Sequence, residues 1–197
     1  MEVLRQEIRM AVPDVCLAFG GELDSALGQH VARGSIHGTA IERYFGGHPH
    51  SFDALVDESL KGSTGEAVSR PSGGLGGIRS GTTAVVPVRD EKLFLVALAH
   101  TDLNTLKAYA SVLDLWIAFD TLWDKVRVEA NGQTVTLPLI GGGLAAVPLP
   151  CTVLVQCIIA SLHAASTKSR ITDTVQIVLH ESVFPQIDLE VVRQQWS

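Results

Sequence analysis

Three short segments carry the residue types from which a binding site can be built. The first is Leu137-Pro138-Leu139-Ile140-Gly141-Gly142-Gly143-Leu144, an apolar run that passes straight into three glycines ahead of a helix. Residues that tolerate positive φ can gather backbone N–H groups into a concavity, and a helix start adds positive dipole, so the segment suits a diphosphate. An ordinary strand-to-helix turn is the plainer reading of the same residues. Neither GxGxxG nor GxxxxGK is present and no lysine follows the glycines, which sets aside a P-loop NTPase. The second segment is Gly34-Ser35-Ile36-His37-Gly38, which opens a helix near Thr39. Its hydroxyl and N–H groups suit phosphate or ribose, while Ser35 as a helix cap beside an exposed His37 is the alternative. The third is His100-Thr101-Asp102-Leu103-Asn104, directly after a strand ending at Ala99. Strand carboxyl ends are where open α/β sheets bind ligands, although Asp102 or Asn104 equally suits a helix cap.

Nucleophilic and metal chemistry find less to work with. The histidines are His30, His37, His48, His50, His100, His163 and His180. His48-Pro49-His50 brings two imidazoles close, but no cysteine or carboxylate stands at zinc-ligand spacing, so they read as solvated loop residues and no metal is expected. No serine sits in a GxSxG elbow, which leaves a Ser/His/acid hydrolase without support. Cys16, Cys151 and Cys157 form no CxxC pair, and an odd count indicates reduced, inert core thiols in a cytoplasmic setting.

These segments need elements to hold them. Val15 to Phe19, closed by Gly20-Gly21, predicts a strand, and Thr39 to Phe45 a helix. Between Gly62 and Gly81 lie seven of the 18 glycines; such a stretch buries too little apolar area to offset its ordering entropy, which predicts a long surface loop. Thr83 to Val88 and Leu93 to Ala99 flank the polar connection Arg89-Asp90-Glu91-Lys92, a hairpin signature. Between Lys107 and Arg127, Val112, Leu115, Trp116, Phe119, Leu122, Trp123 and Val126 keep the rhythm of an amphipathic helix. Asn131-Gly132 then turns the chain into a strand over Thr134 to Ile140. A helix apolar on nearly every face follows over Pro150 to Ala164, then a buried strand over Thr174 to Leu179 and a terminal helix over Ile187 to Trp196. Strands alternating with helices of this length indicate an α/β sandwich whose sheet is largely parallel with one antiparallel hairpin.

Length and composition agree with one such core. The chain has 197 residues, 46% of them hydrophobic and 18% charged, enough for a single domain over 1–197 and against disorder. A net charge of −6 with no basic run argues against nucleic acid. Residues 130 to 167 contain no charged side chain, yet Gly141 to Gly143, Pro148 and Pro150 interrupt the run, so no membrane span is expected from it. The first residues lack the basic and apolar regions of a secretory signal.

The three site segments, in this order, resemble a macro domain, and more narrowly the divergent macro-type domain of effector proteins in the bacterial Thoeris anti-phage systems. The likeness runs from about Asp14 to Val192. It is carried by Phe19-Gly20-Gly21-Glu22-Leu23-Asp24, Ser35-Ile36-His37-Gly38, Gly81-Thr82, Leu95 to Ala99 followed by Asp102 and Asn104, and Leu137 to Leu144. The resemblance implies a three-layer α/β/α sandwich with a mixed, mostly parallel sheet, binding ADP-ribose or a conjugate at one end of the sheet and needing no cofactor. It gives Gly141, Gly142, Gly143 and Leu144, with Ser35, Ile36, His37 and Gly38, to the diphosphate and distal ribose. Asp102 and Asn104 are candidates for the ligand's other end, and Asp24, Thr101, His180 and Phe184 are further candidate contacts. Macro domains usually carry an early strand ending in Gly-Asp-Ile, whose acid reads adenine; only Met1 to Pro13 is available here, so Glu2 or Glu7 substitutes or adenine is held differently.

In Thoeris effectors such a domain senses an ADP-ribose-based signal made by a TIR protein, and in the membrane-anchored type the signal is a histidine conjugate. A non-catalytic sensor of such a signal is therefore the leading expectation, with the TIR protein a functional rather than physical partner. A macro-type ADP-ribosyl hydrolase is the alternative, with His37, Asp102 and Asn104 the suitable groups beside the ribose. Self-association, and tethering to the inner membrane through a longer parent protein, stay open.

Overall fold

The computed structural model describes residues 15–21, 36–61, 80–101, 108–143 and 147–196; Asp24, Ser35, Asp102, Asn104, Leu144 and the glycine-rich 62–79 lie outside the described residues. Strand β1 (Val15–Gly21) pairs in parallel with β3 (Glu91–Thr101) on one side and β5 (Val135–Pro138) on the other. Outside β3 lies antiparallel β2 (Thr83–Val88), and outside β5 lies parallel β6 (Val175–Val178). The order is β2-β3-β1-β5-β6, and the two-residue β4 (Ala108–Tyr109) folds back onto the end of β3. This is the expected mostly parallel sheet with one antiparallel hairpin.

Alternation along β3 builds the layers. Leu93 and Leu95 join Val86 and Val88 against Ile41 of α1 (Ile36–Phe45) and Phe52 and Val56 of α2 (Pro49–Ser59). Phe94, Val96 and Leu98 meet Leu115, Phe119, Leu122 and Trp123 of α3 (Val112–Glu129) and Leu154 and Ile158 of α4 (Cys151–Lys168). Each of the large side chains that is fully buried here contributes roughly 1.5–3 kcal/mol. Helix α5 (Leu189–Gln195) closes over α4 through Val192, Val155 and Ile187.

Two boundaries and the burial of two positions differ from the sequence expectation. The hairpin turns on Arg89-Asp90 alone, because Glu91 accepts from the Tyr44 hydroxyl and Lys92 donates to the Glu129 carbonyl and carboxylate, which draws both into β3. Helix α3 begins at Val112, not near Lys107. Ser111 and Asp114 form a capping box there, and Ala108-Tyr109 is diverted into β4. Trp116, counted on the apolar face, is exposed. Strand β6 is an edge strand whose residues alternate between half-buried and exposed, rather than buried throughout.

Helix α4 departs most. With a mean hydropathy of 1.2 over 18 residues it is long and apolar enough to cross a membrane. In this fold it is the crossover between parallel strands, and it buries a stripe of Leu154, Val155, Ile158 and Ser161 rather than every face. Ser161 accepts a buried hydrogen bond from Trp123 Nε1 at 3.0 Å, which fixes α4 against α3. Cys151 and Cys157 are half-buried instead of core thiols, and burial pushes the Cys157 pKa up.

Candidate functional site

β1 and β5 part after two residue pairs. β1 stays paired with β3 as far as Gly21↔Ala99, but it meets β5 only at Val15↔Val135 and Cys16↔Thr136. The chain leaving β1 goes to α1 and α2 on one face, and the chain leaving β5 goes to α4 on the other. Adjacent strands whose connections leave toward opposite faces mark the crevice where open α/β sheets take their ligands.

The glycine segment forms one wall of this edge. Gly141 has φ +82°, and a Cβ there would lie 3.0 Å from Val147 Cγ2 and 3.3 Å from Leu154 Cδ2. Val147 N–H donates to the Gly141 carbonyl at 2.9 Å and closes the loop on itself. Gly142 and Gly143 lack positive φ; a Cβ on Gly142 would meet the Leu139 side chain at 3.1 Å and its carbonyl oxygen at 3.6 Å, and one on Gly143 nothing within 4 Å among the described residues. So one of the three glycines uses positive φ, and the others leave backbone bare. The expected helix start is not immediately behind them, since α4 begins at Cys151.

The carboxyl end of β3 carries side chains instead. Asp114, in the first turn of α3, accepts from the Ser111 backbone N–H at 2.9 Å, the Ser111 hydroxyl at 2.6 Å and the Ser80 hydroxyl at 3.0 Å. His100 Nε2 lies 3.1 Å from the same carboxylate and 3.2 Å from Ser80 Oγ. Burial raises the Asp114 pKa, but the hydrogen bonds from Ser111, His100 and Ser80 outweigh it and hold the group at about 2. These are the residue types of a hydrolase triad, yet one imidazole nitrogen faces both serine and carboxylate. A nucleophile relay needs the two nitrogens on opposite partners.

Beyond β6, Thr152 Oγ1 accepts from the Asp188 N–H and donates to the Gln186 carbonyl, which ties the segment carrying His180 and Phe184 to the start of α4. Among the described residues no group of three histidine, cysteine or acidic side chains could hold a metal ion.

Residues 8–180 match the family described as Thoeris protein ThsA, Macro domain. The chain belongs to this family. Solved structures agree on the fold. A mutant Oceanobacillus iheyensis macrodomain with ADPR superposes at TM-score 0.59, with 9% identity over 94% of this chain and 88% of that one. The same organism's macrodomain with ADP gives 0.58, 11% identity, and 93% and 86% coverage. A Trypanosoma brucei macrodomain in complex with ADP-ribose gives 0.53, 9% identity, and 91% and 63% coverage. A search of curated protein sequences finds no match.

In this ThsA macro domain, Gly141, Gly142 and Gly143 follow the carboxyl end of β5, and His180 and Phe184 follow that of β6. Phe184 and His180 are exposed, and His180 Nδ1 accepts from the Ser182 N–H. Thr101 sits at the end of β3, paired with Ala108. Ile36, His37 and Gly38 form the first turn of α1, which therefore starts three residues before the expected Thr39. Ile36 is exposed, but His37 is 1% exposed with its ring 5.3 Å from Phe52, so the imidazole packs in the α1–α2 core. Ser35, Asp102, Asn104, Leu144 and Asp24 lie outside the described residues. Sequence reasoning missed the cluster of Ser80, His100 and Asp114 as a unit; its one legible part is Ser111-x-x-Asp114, a capping-box spacing.

Proposed function

We propose that this ThsA macro domain is a non-catalytic sensor of an ADP-ribose-derived nucleotide, such as a histidine conjugate, made by a TIR protein in bacterial anti-phage defence. The observation that carries the reading is the parting of β1 and β5 beside a glycine segment that follows β5, in a chain of this family. Gly141 to Leu144 and the Ser35 to Gly38 turn take the diphosphate and distal ribose. The backbone of α1's first turn, rather than the packed His37 ring, makes that contact. Asp102 and Asn104 read the group beyond the ribose, with Asp24, Thr101, His180 and Phe184 as flanking contacts. Binding without turnover is supported by His37, one of the groups suited to a hydrolase, whose imidazole packs into the α1–α2 core against Phe52.

Calorimetry with ADP-ribose and with its histidine conjugate tests the reading, followed by recovery of each ligand after prolonged incubation. Binding of the conjugate and its recovery intact are expected. Free ADP-ribose or free histidine released at a protein-dependent rate would replace the sensor with a hydrolase.

A further inference from the structure

His100 occupies a place at this edge that the loop assignments leave unused. It follows Phe94, Val96 and Leu98 on the α3 and α4 face of β3. β1 ends at Gly21, level with Ala99, so His100 lies one residue beyond that end on β3, while the glycine segment follows the end of β5 at Pro138 on the other side. Two inter-strand spacings, roughly 10 Å, separate the two strands. His100 and the glycine wall therefore flank the end of β1 from opposite sides.

Its imidazole is already oriented. The Ser80 hydroxyl spends its hydrogen on Asp114 Oδ1, and an ionised carboxylate only accepts, so Nε2 carries the proton shared toward Asp114 and Ser80. In the neutral ring Nδ1 is then an acceptor, and it makes no hydrogen bond among the described residues. The side chain is 48% exposed, with one ring contact, at 5.6 Å, to Tyr109, which is itself 57% exposed. A fixed imidazole with one uncommitted nitrogen loses little freedom when a ligand takes that nitrogen.

We propose that His100 is a specificity-determining contact of the crevice, its Nδ1 accepting a hydrogen bond from a hydroxyl or N–H of a nucleotide-sugar ligand, and that Asp114 is its positioning residue. The proposal rests on the reading of the crevice as an ADP-ribose-type site. Calorimetry with ADP-ribose on the wild type, His100→Phe, Asp114→Asn and the double variant separates the two. Absence of wild-type binding to both ADP-ribose and its histidine conjugate removes the underlying reading; where only the conjugate binds, it is the probe. With wild-type binding present, His100→Phe is expected to weaken it about ten-fold, the loss of one hydrogen bond. Asp114→Asn is expected to weaken it a few-fold, and the double variant no more than His100→Phe alone, because Asp114 acts through the ring. Unchanged affinity in His100→Phe overturns the contact, and additive losses overturn the positioning role. Ring nitrogen NMR on the wild type needs no variant to fold. It should show the Nε2–H tautomer and an Nδ1 resonance that moves on adding ADP-ribose; the other tautomer, or an unmoved resonance, also overturns the proposal.

Discussion

The carboxyl ends of β3 and β5 flank the same strand and are built from opposite materials. At the β3 end, order comes from side chains: Ser80, His100 and Ser111 converge on the Asp114 carboxylate from segments up to 34 residues apart. At the β5 end, Val135 to Gly143 contains no titratable side chain, and shape comes from backbone, a positive-φ turn at Gly141 and open space at Gly143. The difference separates two uses of the same residue. Gly141 is required by the fold, while Gly143 has open space around its Cα among the described residues, although the sequence presents them as equivalent members of one triplet.

The largest effect should come from confusing those uses. Gly141→Val places a β-branched side chain at φ +82° and drives its Cβ to 3.0 Å from Val147. Left-handed backbone strain and overpacking of the β5–α4 junction together cost about 3 kcal/mol. For a domain of this size that lowers Tm by roughly 10 °C in a thermal unfolding experiment. An unchanged Tm would mean that the turn does not hold the β5 end.

Gly143→Glu is the complementary change. Nothing among the described residues lies within 4 Å of its Cβ, so stability should stay within about 0.5 kcal/mol of wild type. A carboxylate in a diphosphate wall should nevertheless cut ADP-ribose affinity at least about 100-fold, or roughly 2.7 kcal/mol. Wild-type affinity, measured by calorimetry, would remove the glycine segment from the site and leave the β3 end as the more important of the two.

The same contrast explains what the sequence made legible. Backbone-built features are local: the β2–β3 hairpin, the strand at Val15, the glycine turn after β5 and the order of later elements follow from alternation, helical rhythm and glycine placement within a few residues. Features built from distant side chains are not. Ser80 and Asp114 carry no signal of their partnership, because His100 meets them only after β3 has paired and α3 has docked. His37 looked like a loop residue because nothing beside it announces Phe52, which arrives from the next helix. The burial expected for β6 fails for a related reason: the three apolar residues of Val175-Gln176-Ile177-Val178 do not reveal whether a further strand covers its outer side.

The smallest expected effect tests whether the side-chain end is held by charge. Asp114 is drawn from 3.8 to about 2, its burial outweighed by the hydrogen bonds from Ser111, His100 and Ser80. A carboxylate whose folded pKa is depressed adds stability that is complete above its unfolded value and is lost as pH falls through the folded one. Asp114→Asn keeps the shape and an accepting oxygen for Ser111 while removing the charge, so it isolates that increment. After allowance for solvent around the partly exposed cluster, the loss should be about 1 kcal/mol at neutral pH. The gap between variant and wild type should close as pH falls from about 4 to about 2. Urea unfolding at a series of pH values checks this. A constant gap would assign the cost to lost geometry rather than charge. No gap at any pH would mean that the cluster orients His100 without stabilising the fold, leaving the β5 end and the sheet to carry the stability of the edge.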